Sequence, residues 1–198
     1  MVGGLIMEKT ESAVKQEFNI LGFSGSLRKN SYNTAALRAA KALAPAGINV
    51  NIFDLATIPL YNQDLEEREL PDGVAAFKQQ IALADALLIV TPEYNYSVPG
   101  VLKNALDWAS RPSGQSPLSD KPVAIMGASM GYFGTSRAQY HLRQTCVILN
   151  MHPLNNPEVF IPGAASKFDQ DGNLTDAYTQ ENIKKILVAL KAWAERLQ

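Results

Sequence analysis

The sequence predicts an α/β fold: a three-layer sandwich with a five-stranded parallel sheet, in strand order 2-1-3-4-5, between two layers of helices. Three observations carry that prediction. Short apolar runs alternate five times with segments of helical periodicity, the pattern of a parallel sheet. The run Ala86-Leu87-Leu88-Ile89-Val90 is unbroken and bounded by turn residues, as in a parallel strand covered on both faces. The strand-to-helix loops after the first, third and fourth runs are polar or glycine-bearing, and this order brings the first two together where it reverses, between strands 1 and 3.

The elements follow in order. Asn19 to Phe23 is the first strand, and Ser24 to Ser31 turns into a helix from Tyr32 to Leu43 with Ala35, Ala36, Ala39, Ala40 and Leu43 at helical spacing. Pro45-Ala46-Gly47 ends that helix. Ile48 to Phe53 is the second strand, with Val50 and Ile52 on one face, and a long loop covers Asp54 to Asp72. A helix from Val74 to Leu83 precedes the third strand, Ala86 to Val90. The third helix, Val98 to Ser110, buries Leu102, Ala105, Leu106 and Ala109. Pro122 to Ala128 is the fourth strand, and a glycine-rich turn leads to a helix from Thr135 to Leu149. A fifth strand lies within Met151 to Ile161, interrupted by Asn155-Asn156-Pro157. The closing helix runs from Thr175 to Leu197. Residues 1–18 read as a flexible N-terminal extension, partly helical over Glu11 to Phe18, with Met7 as an alternative start. Residues 19–198 read as one domain.

Composition narrows the function. The chain has 198 residues, a net charge of -1 and a single cysteine, Cys146. No basic excess marks a nucleic-acid surface, and no acidic excess marks a carrier that docks through charge. One cysteine excludes an intrachain disulfide and suits a reducing cytoplasm. No apolar stretch reaches the ~18 residues of a membrane helix. His141 and His152 lack a carboxylate or cysteine at ligand spacing, so no metal is expected. Ser24, Ser26 and Asp54 make no hydrolase arrangement, and Cys146 reads as a buried helix residue.

Three loops carry the chemistry. The first, Ser24-Gly25-Ser26-Leu27-Arg28-Lys29-Asn30-Ser31-Tyr32-Asn33, opens a helix, whose free N–H groups and dipole favour an anion. Ser26, Ser31 and Asn33 add neutral donors and Arg28 a charged fork; a capped helix start with surface polar residues is the plainer reading. It is neither a Gly-x-Gly-x-x-Gly fingerprint nor a Walker loop, so a single phosphomonoester suits it. The second, Thr91-Pro92-Glu93-Tyr94-Asn95-Tyr96-Ser97-Val98-Pro99-Gly100, offers amides and rings to a planar heterocycle, stiffened by its prolines. Asn104 and Asp107, on the helix behind it, read as solvated or capping residues. The third, from Gly127 through Ser129 and Gly131 to Arg137, has glycines that permit close approach and borders the same crevice. Arg137, Tyr140 and Arg143 recur at helical spacing and suit a polar subunit interface, with Glu158 as a candidate partner.

Gly25-Ser26-Leu27-Arg28-x-x-Ser31-x-Asn33, followed by Pro92-Glu93-Tyr94-Asn95-x-Ser97-x-Pro99-Gly100-x-Leu102-Lys103-Asn104-Ala105-Leu106-Asp107-Trp108, resembles the NADPH-dependent FMN reductases. The likeness is greatest to the bacterial NAD(P)H quinone reductase, or chromate reductase, branch. Tyr61 with Asp64, and Tyr140-His141-Leu142-Arg143-Gln144, resemble that branch too. The resemblance implies a flavodoxin-like fold with non-covalent FMN. Ser26, Arg28, Ser31 and Asn33 would hold the phosphate; Pro92, Glu93, Tyr94 and Asn95 would contact the ribityl chain and ring; Ser129 and Gly131 would close the ring's other edge. It also implies a homodimer or homotetramer with the flavin near a subunit interface. NAD(P)H would give hydride to the flavin N5, and a quinone, flavin, azo dye or chromate would take the electrons, with no catalytic side chain required. A flavodoxin-type electron carrier and an FMN-binding regulatory protein are the alternatives.

Overall fold

The computed structural model describes residues 17–197. A parallel sheet runs in the order β2-β1-β3-β4-β5, with β6 also paired to β4. Its strands are β1 (Phe18–Ser24), β2 (Ile48–Phe53), β3 (Ala86–Val90), β4 (Pro122–Ala128), β5 (His152–Pro153) and β6 (Val159–Ile161). The helices are α1 (Tyr32–Ala42), α2 (Gln63–Glu66), α3 (Asp72–Leu83), α4 (Gly100–Ala109), α5 (Ser136–Ile148) and α6 (Ala177–Leu197).

The two-residue period of the strands divides the core. Leu88 and Val90 of β3, with Ala124, Met126 and Ala128 of β4, face one layer, where Leu37 of α1 and Ile183, Leu187 and Leu190 of α6 pack on them. Leu87, Ile89, Val123 and Ile125 face the other layer, against Phe77 and Ile81 of α3, Leu102 and Leu106 of α4 and Leu142 of α5. Every residue of β3 is fully buried. Each large apolar side chain gains about 1.5–3 kcal/mol by burial. A one-residue slip of β3 would exchange its two faces, and only one register seats all five side chains.

The strand order and helix layers are those the sequence predicts; several boundaries differ for physical reasons. Phe18 belongs to β1, not to an extension: it is buried, pairs with Ile48 and donates its N–H to Gly47 O at 3.0 Å. The expectations for residues 1–16 lie outside the described residues. α3 begins at Asp72, two residues earlier than periodicity suggests, because Pro71 takes the cap position and Asp72 suits the positive helix end. Gly73 lies inside the helix, and glycine is needed there because a Cβ would strike the Thr57 carbonyl. α4 starts at Gly100 rather than Val98, since Pro99 holds an extended cap conformation (φ -60°, ψ 144°) and the residue before proline avoids the α region. The long loop holds a 3-10 turn, Leu55–Thr57, and the short α2. The interrupted last strand is two short strands, both paired to β4.

Candidate functional site

Of the ten candidate ligand residues, Ser26, Arg28, Ser31, Pro92, Glu93, Tyr94, Asn95, Ser129 and Gly131 lie on the loops that follow β1, β3 and β4, and Asn33 lies in the first turn of α1. These loops share one end of the sheet, the carboxyl edge. They are tied to one another. Gly25 N donates to Val90 O at 2.9 Å, and Thr91 N donates to Met126 O at 2.9 Å, so the ladder runs past the strand ends. Gly127 allows the third loop to lie against the second, for a Cβ there would strike Thr135 Oγ1 and the Thr91 carbonyl.

The first loop is organised by its serines. Ser31 is the N-cap of α1, and its Oγ accepts from the N–H groups of Asn33 (3.2 Å) and Thr34 (3.3 Å). Ser26 Oγ accepts from Arg28 N at 3.4 Å, and Ser24 Oγ accepts from Ser26 N at 3.3 Å. Each hydroxyl keeps its proton for an outside acceptor. The N–H groups of Leu27, Lys29, Asn30 and Tyr32 have no hydrogen-bond partner among the described residues. Together with the positive end of α1 they form an anion seat. Arg28 is exposed beside it, its guanidinium 5.8 Å from the centre of the Tyr32 ring. Asn33 is used differently. It is buried, its Nδ2 donates to Ala128 O (2.9 Å), and its Oδ1 accepts from Ala128 N (2.8 Å). One Nδ2 proton remains uncommitted.

The second loop is a tight turn. Tyr94 N donates to Ser97 O (3.1 Å), and Ser97 N donates to Tyr94 O (3.0 Å). The two residues between them, Asn95 (φ 50°) and Tyr96 (φ 68°), are both left-handed, as a type I′ turn requires. A tyrosine in that region costs about 1–2 kcal/mol. Its ring lies over the Arg137 guanidinium at 3.7 Å, an attraction of about 0.5–2 kcal/mol that offsets the strain. Tyr94 is half exposed. Ser97 Oγ meets His141 Nδ1 at 2.9 Å, which ties the turn to α5.

Glu93 does what its position in the sequence hides. Its Oε2 accepts from the N–H groups of Arg137 (3.1 Å) and Ala138 (3.2 Å), capping α5 from another loop. Its Oε1 accepts from Arg137 Nε at 2.6 Å and pairs with Nη2 at 2.5 Å. Thr135, the residue at the α5 cap position, is left-handed (φ 72°) and makes no side-chain cap. Within the chain, Arg137 is held between Glu93, Tyr96 and Phe133. Arg143 donates to Leu154 O (2.9 Å) and Asn155 Oδ1 (3.2 Å).

The third loop is pinned to the segment after β6. Ser129 N donates to Ile161 O, and Ala164 N donates to Ser129 O, each at 3.0 Å. Ser129 Oγ accepts from Gly131 N at 3.0 Å. Met130, Tyr132 and Phe133 stand exposed at the lip. Behind the second loop, Asn104 and Trp108 clamp the long loop. Asn104 Oδ1 accepts from Tyr61 N at 2.7 Å, while Asn104 Nδ2 (2.8 Å) and Trp108 Nε1 (2.9 Å) both donate to Pro59 O. Asn104 is therefore neither solvated nor a cap; Asp107 pairs with Lys103 at 2.6 Å. Tyr61 donates its hydroxyl to Glu66 (2.8 Å), not to Asp64, and Arg111 Nε donates to the same Glu66 oxygen at 3.2 Å. That bond raises the Tyr61 pKa, and Tyr61 and Arg111 hold the Glu66 carboxyl below its usual range. Burial pushes the Cys146 thiol up to about 12, which makes it unreactive at neutral pH. Among the described residues no group of three or more His, Cys, Asp or Glu side chains converges as a metal site. Among the described residues no helix is long and apolar enough to cross a membrane.

Comparison with known proteins places this arrangement. An NAD(P)H-dependent FMN reductase of Pseudomonas aeruginosa is 54% identical over 185 residues, 93% of this chain and 100% of that protein. An NADPH:quinone oxidoreductase of Arabidopsis thaliana is 45% identical over 193 residues, covering 94% of this chain and 97% of its own. The flavoenzyme NAD(P)H:(acceptor) oxidoreductase FerB of Paracoccus denitrificans superimposes with a TM-score of 0.82 at 34% identity, over 90% of this chain and 98% of that one. The family model described as NADPH-dependent FMN reductase matches residues 18–166, a span that holds all three loops, and the chain belongs to that family.

Proposed function

We propose that this chain is an FMN-dependent NAD(P)H oxidoreductase that reduces quinones or similar small acceptors. The observation that carries the reading is the single wall made by three mutually bonded loops, an anion seat at one end and unpartnered N–H groups along it. The donor set fits FMN. The α1 N-terminus, the Ser26 and Ser31 hydroxyls and Arg28 suit one phosphate. The free N–H groups of Glu93 and Asn95, with the exposed Tyr94 ring, suit the acceptor-rich edge and flat face of a heterocycle. Pro92 and Ser129, with Gly131, line the loops on either side.

Held by these residues, FMN would supply the hydride and electron-transfer chemistry between NAD(P)H and the acceptor, while the protein supplies position and electrostatics. Arg28 and the α1 dipole would neutralise its phosphate charge, and the N–H groups of Glu93 and Asn95 would stabilise negative charge on its ring edge. Glu93 is committed to Arg137 and Ala138, so it holds the wall and does not serve as a base. No side chain is required to move a proton.

The assembly is a homodimer or homotetramer in a reducing cytoplasm. Exposed apolar residues, Tyr132 and Phe133 at the lip and Tyr140, Val147 and Ile148 on α5, suit burial against a second copy of the chain.

The test is anaerobic reduction. FMN-loaded protein mixed with NADPH or NADH bleaches near 450 nm (roughly, the oxidised flavin band), and 1,4-benzoquinone restores the band. A protein that binds FMN but does not bleach with either nucleotide is a carrier or regulator, and the proposal fails. Sedimentation of the same sample reads the oligomeric state.

A further inference from the structure

A cavity opens beside the first loop, at the edge strand β2. It has a volume of about 390 Å³ and lies between the first loop, α1 and the end of β2. Leu37, Ile52 and Phe53 supply an apolar floor. Ile52 is 40% exposed, left uncovered at the free edge of the sheet. Arg28, Lys29 and Arg38 stand at the rim, and among the described residues none of them pairs with a carboxylate. Asp54 is the acid on the lining, and its Oδ1 is engaged by Ala56 N at 3.0 Å. Arg38 borders two further cavities along α1, and a Cβ on Gly172 would meet its Nη2 at 3.1 Å.

An apolar floor beside an excess of guanidinium and ammonium groups that pair with no carboxylate among the described residues suits a purine nucleotide with more than one phosphate. The ring gains by covering Ile52 and Phe53, and the phosphates by charge-assisted hydrogen bonds to the rim. The cavity shares Ser26 and Arg28 with the anion seat, so it adjoins the flavin site without being part of the ring wall. The nicotinamide of a reducing dinucleotide must meet the flavin ring, and its adenosine half needs a place nearby. We infer that this groove takes the adenosine 2′-phosphate end of NADPH, with Arg38 and Lys29 as the residues that prefer NADPH over NADH. The inference rests on the reductase reading above.

Adenosine 2′,5′-bisphosphate is the probe, titrated by calorimetry into FMN-loaded protein, so that the anion seat is filled. The expected result is binding with flavin retained, weakened about tenfold in Arg38→Ala and in Lys29→Ala, the loss of one charge-assisted contact. In steady state the same variants raise the KM for NADPH about tenfold and that for NADH by less than about threefold. Both side chains are exposed, so folding is not at issue. Probe binding that is equal in parent and variants, or that releases FMN, overturns the groove. Binding that depends on Arg38 supports it even if NADPH never bleaches the flavin, an outcome that sinks the reductase reading alone.

Discussion

Asn33 and Ala128 exchange two hydrogen bonds across 95 positions of sequence, Nδ2 to the carbonyl at 2.9 Å and the backbone N–H to Oδ1 at 2.8 Å. The side-chain amide imitates one rung of a β ladder, and it fastens the start of α1 to the end of β4. Asn33→Ala strands a buried N–H and a buried C=O, each worth about 1–3 kcal/mol. We expect a loss of about 2–4 kcal/mol and a Tm lower by roughly 5–15 °C. Asn33→Asp keeps the acceptor but turns a carboxylate on the Ala128 carbonyl, and it should cost at least as much. Thermal unfolding of the flavin-free protein is the measurement, since it isolates the strut from any phosphate contact. A Tm within about 2 °C of the parent would show that the bonds carry little.

Glu93 serves α5 as that strut serves α1. Its carboxylate is 8% exposed and receives two backbone donors and the Arg137 guanidinium. Glu93→Ala removes a cap worth about 1 kcal/mol and leaves a partly buried cation without its partner. The expected loss is about 2–3 kcal/mol, with FMN affinity reduced because Tyr96 loses the Arg137 that its ring covers. Arg137→Lys should recover part of the stability and little of the flavin affinity, for an ammonium cannot both fork to the carboxylate and stack. Equal flavin dissociation constants in all three proteins would contradict a wall held by this pair.

β3 and β4 were legible because each is buried on both faces, and they begin and end where the apolar runs of Ala86 to Val90 and Pro122 to Ala128 do. β2, the half-exposed edge strand, was legible from the alternation of Ile48, Val50 and Ile52 with Asn49 and Asn51. Helix starts were less legible, since a cap is a local choice that a distant residue can override. Thr135 looks like a cap, but Glu93 does the capping from 42 positions earlier, a relation no periodicity encodes. The placement of the candidate site residues at one end of the sheet followed from motif and topology. The division of labour among them did not: Arg28 and Tyr94 face outward, whereas Asn33 and Glu93 bind their own chain. Arg137 carried a visible signal, a lone cation at a helix start, which disfavours it there unless an acid lies close.

The long loop before α3 depends on two residues of α4. Asn104 and Trp108 converge on the Pro59 carbonyl at 2.8 and 2.9 Å, and the Tyr61 and Trp108 rings meet edge-on at 4.9 Å. Asn104→Ala leaves the Tyr61 N–H without its acceptor, at a cost of about 1–3 kcal/mol. Because Trp108 still holds Pro59, the loop should loosen locally rather than the domain unfold. Limited proteolysis is the readout. Cleavage within residues 62–70 should accelerate several-fold, with Tm lowered by only a few degrees. An unchanged cleavage rate would mean that the Trp108 bond alone fixes the loop.

Asp176 gives the fold an acid-sensitive joint. Its Oδ2 accepts from Thr179 N (2.9 Å), from the Thr179 hydroxyl and from Lys167 Nζ (2.9 Å), at the cap of α6. The Thr179 hydroxyl first, then Lys167, hold its pKa down to about 2. A folded-state pKa below the unfolded value of about 3.9 means that the unfolded chain takes the proton more readily. The stabilisation is therefore complete above about pH 4 and is lost as the pH falls toward 2. With the carboxylate 30% exposed, solvent screening keeps the charge contribution near 1 kcal/mol. Asp176→Asn retains a cap acceptor but not the charge. It should lower stability by about that amount at pH 7, and the gap to the parent should close between pH 4 and 2. Urea unfolding of both proteins at pH 7, 4 and 2 measures it. A gap that persists undiminished at pH 2 would assign the loss to packing instead of charge.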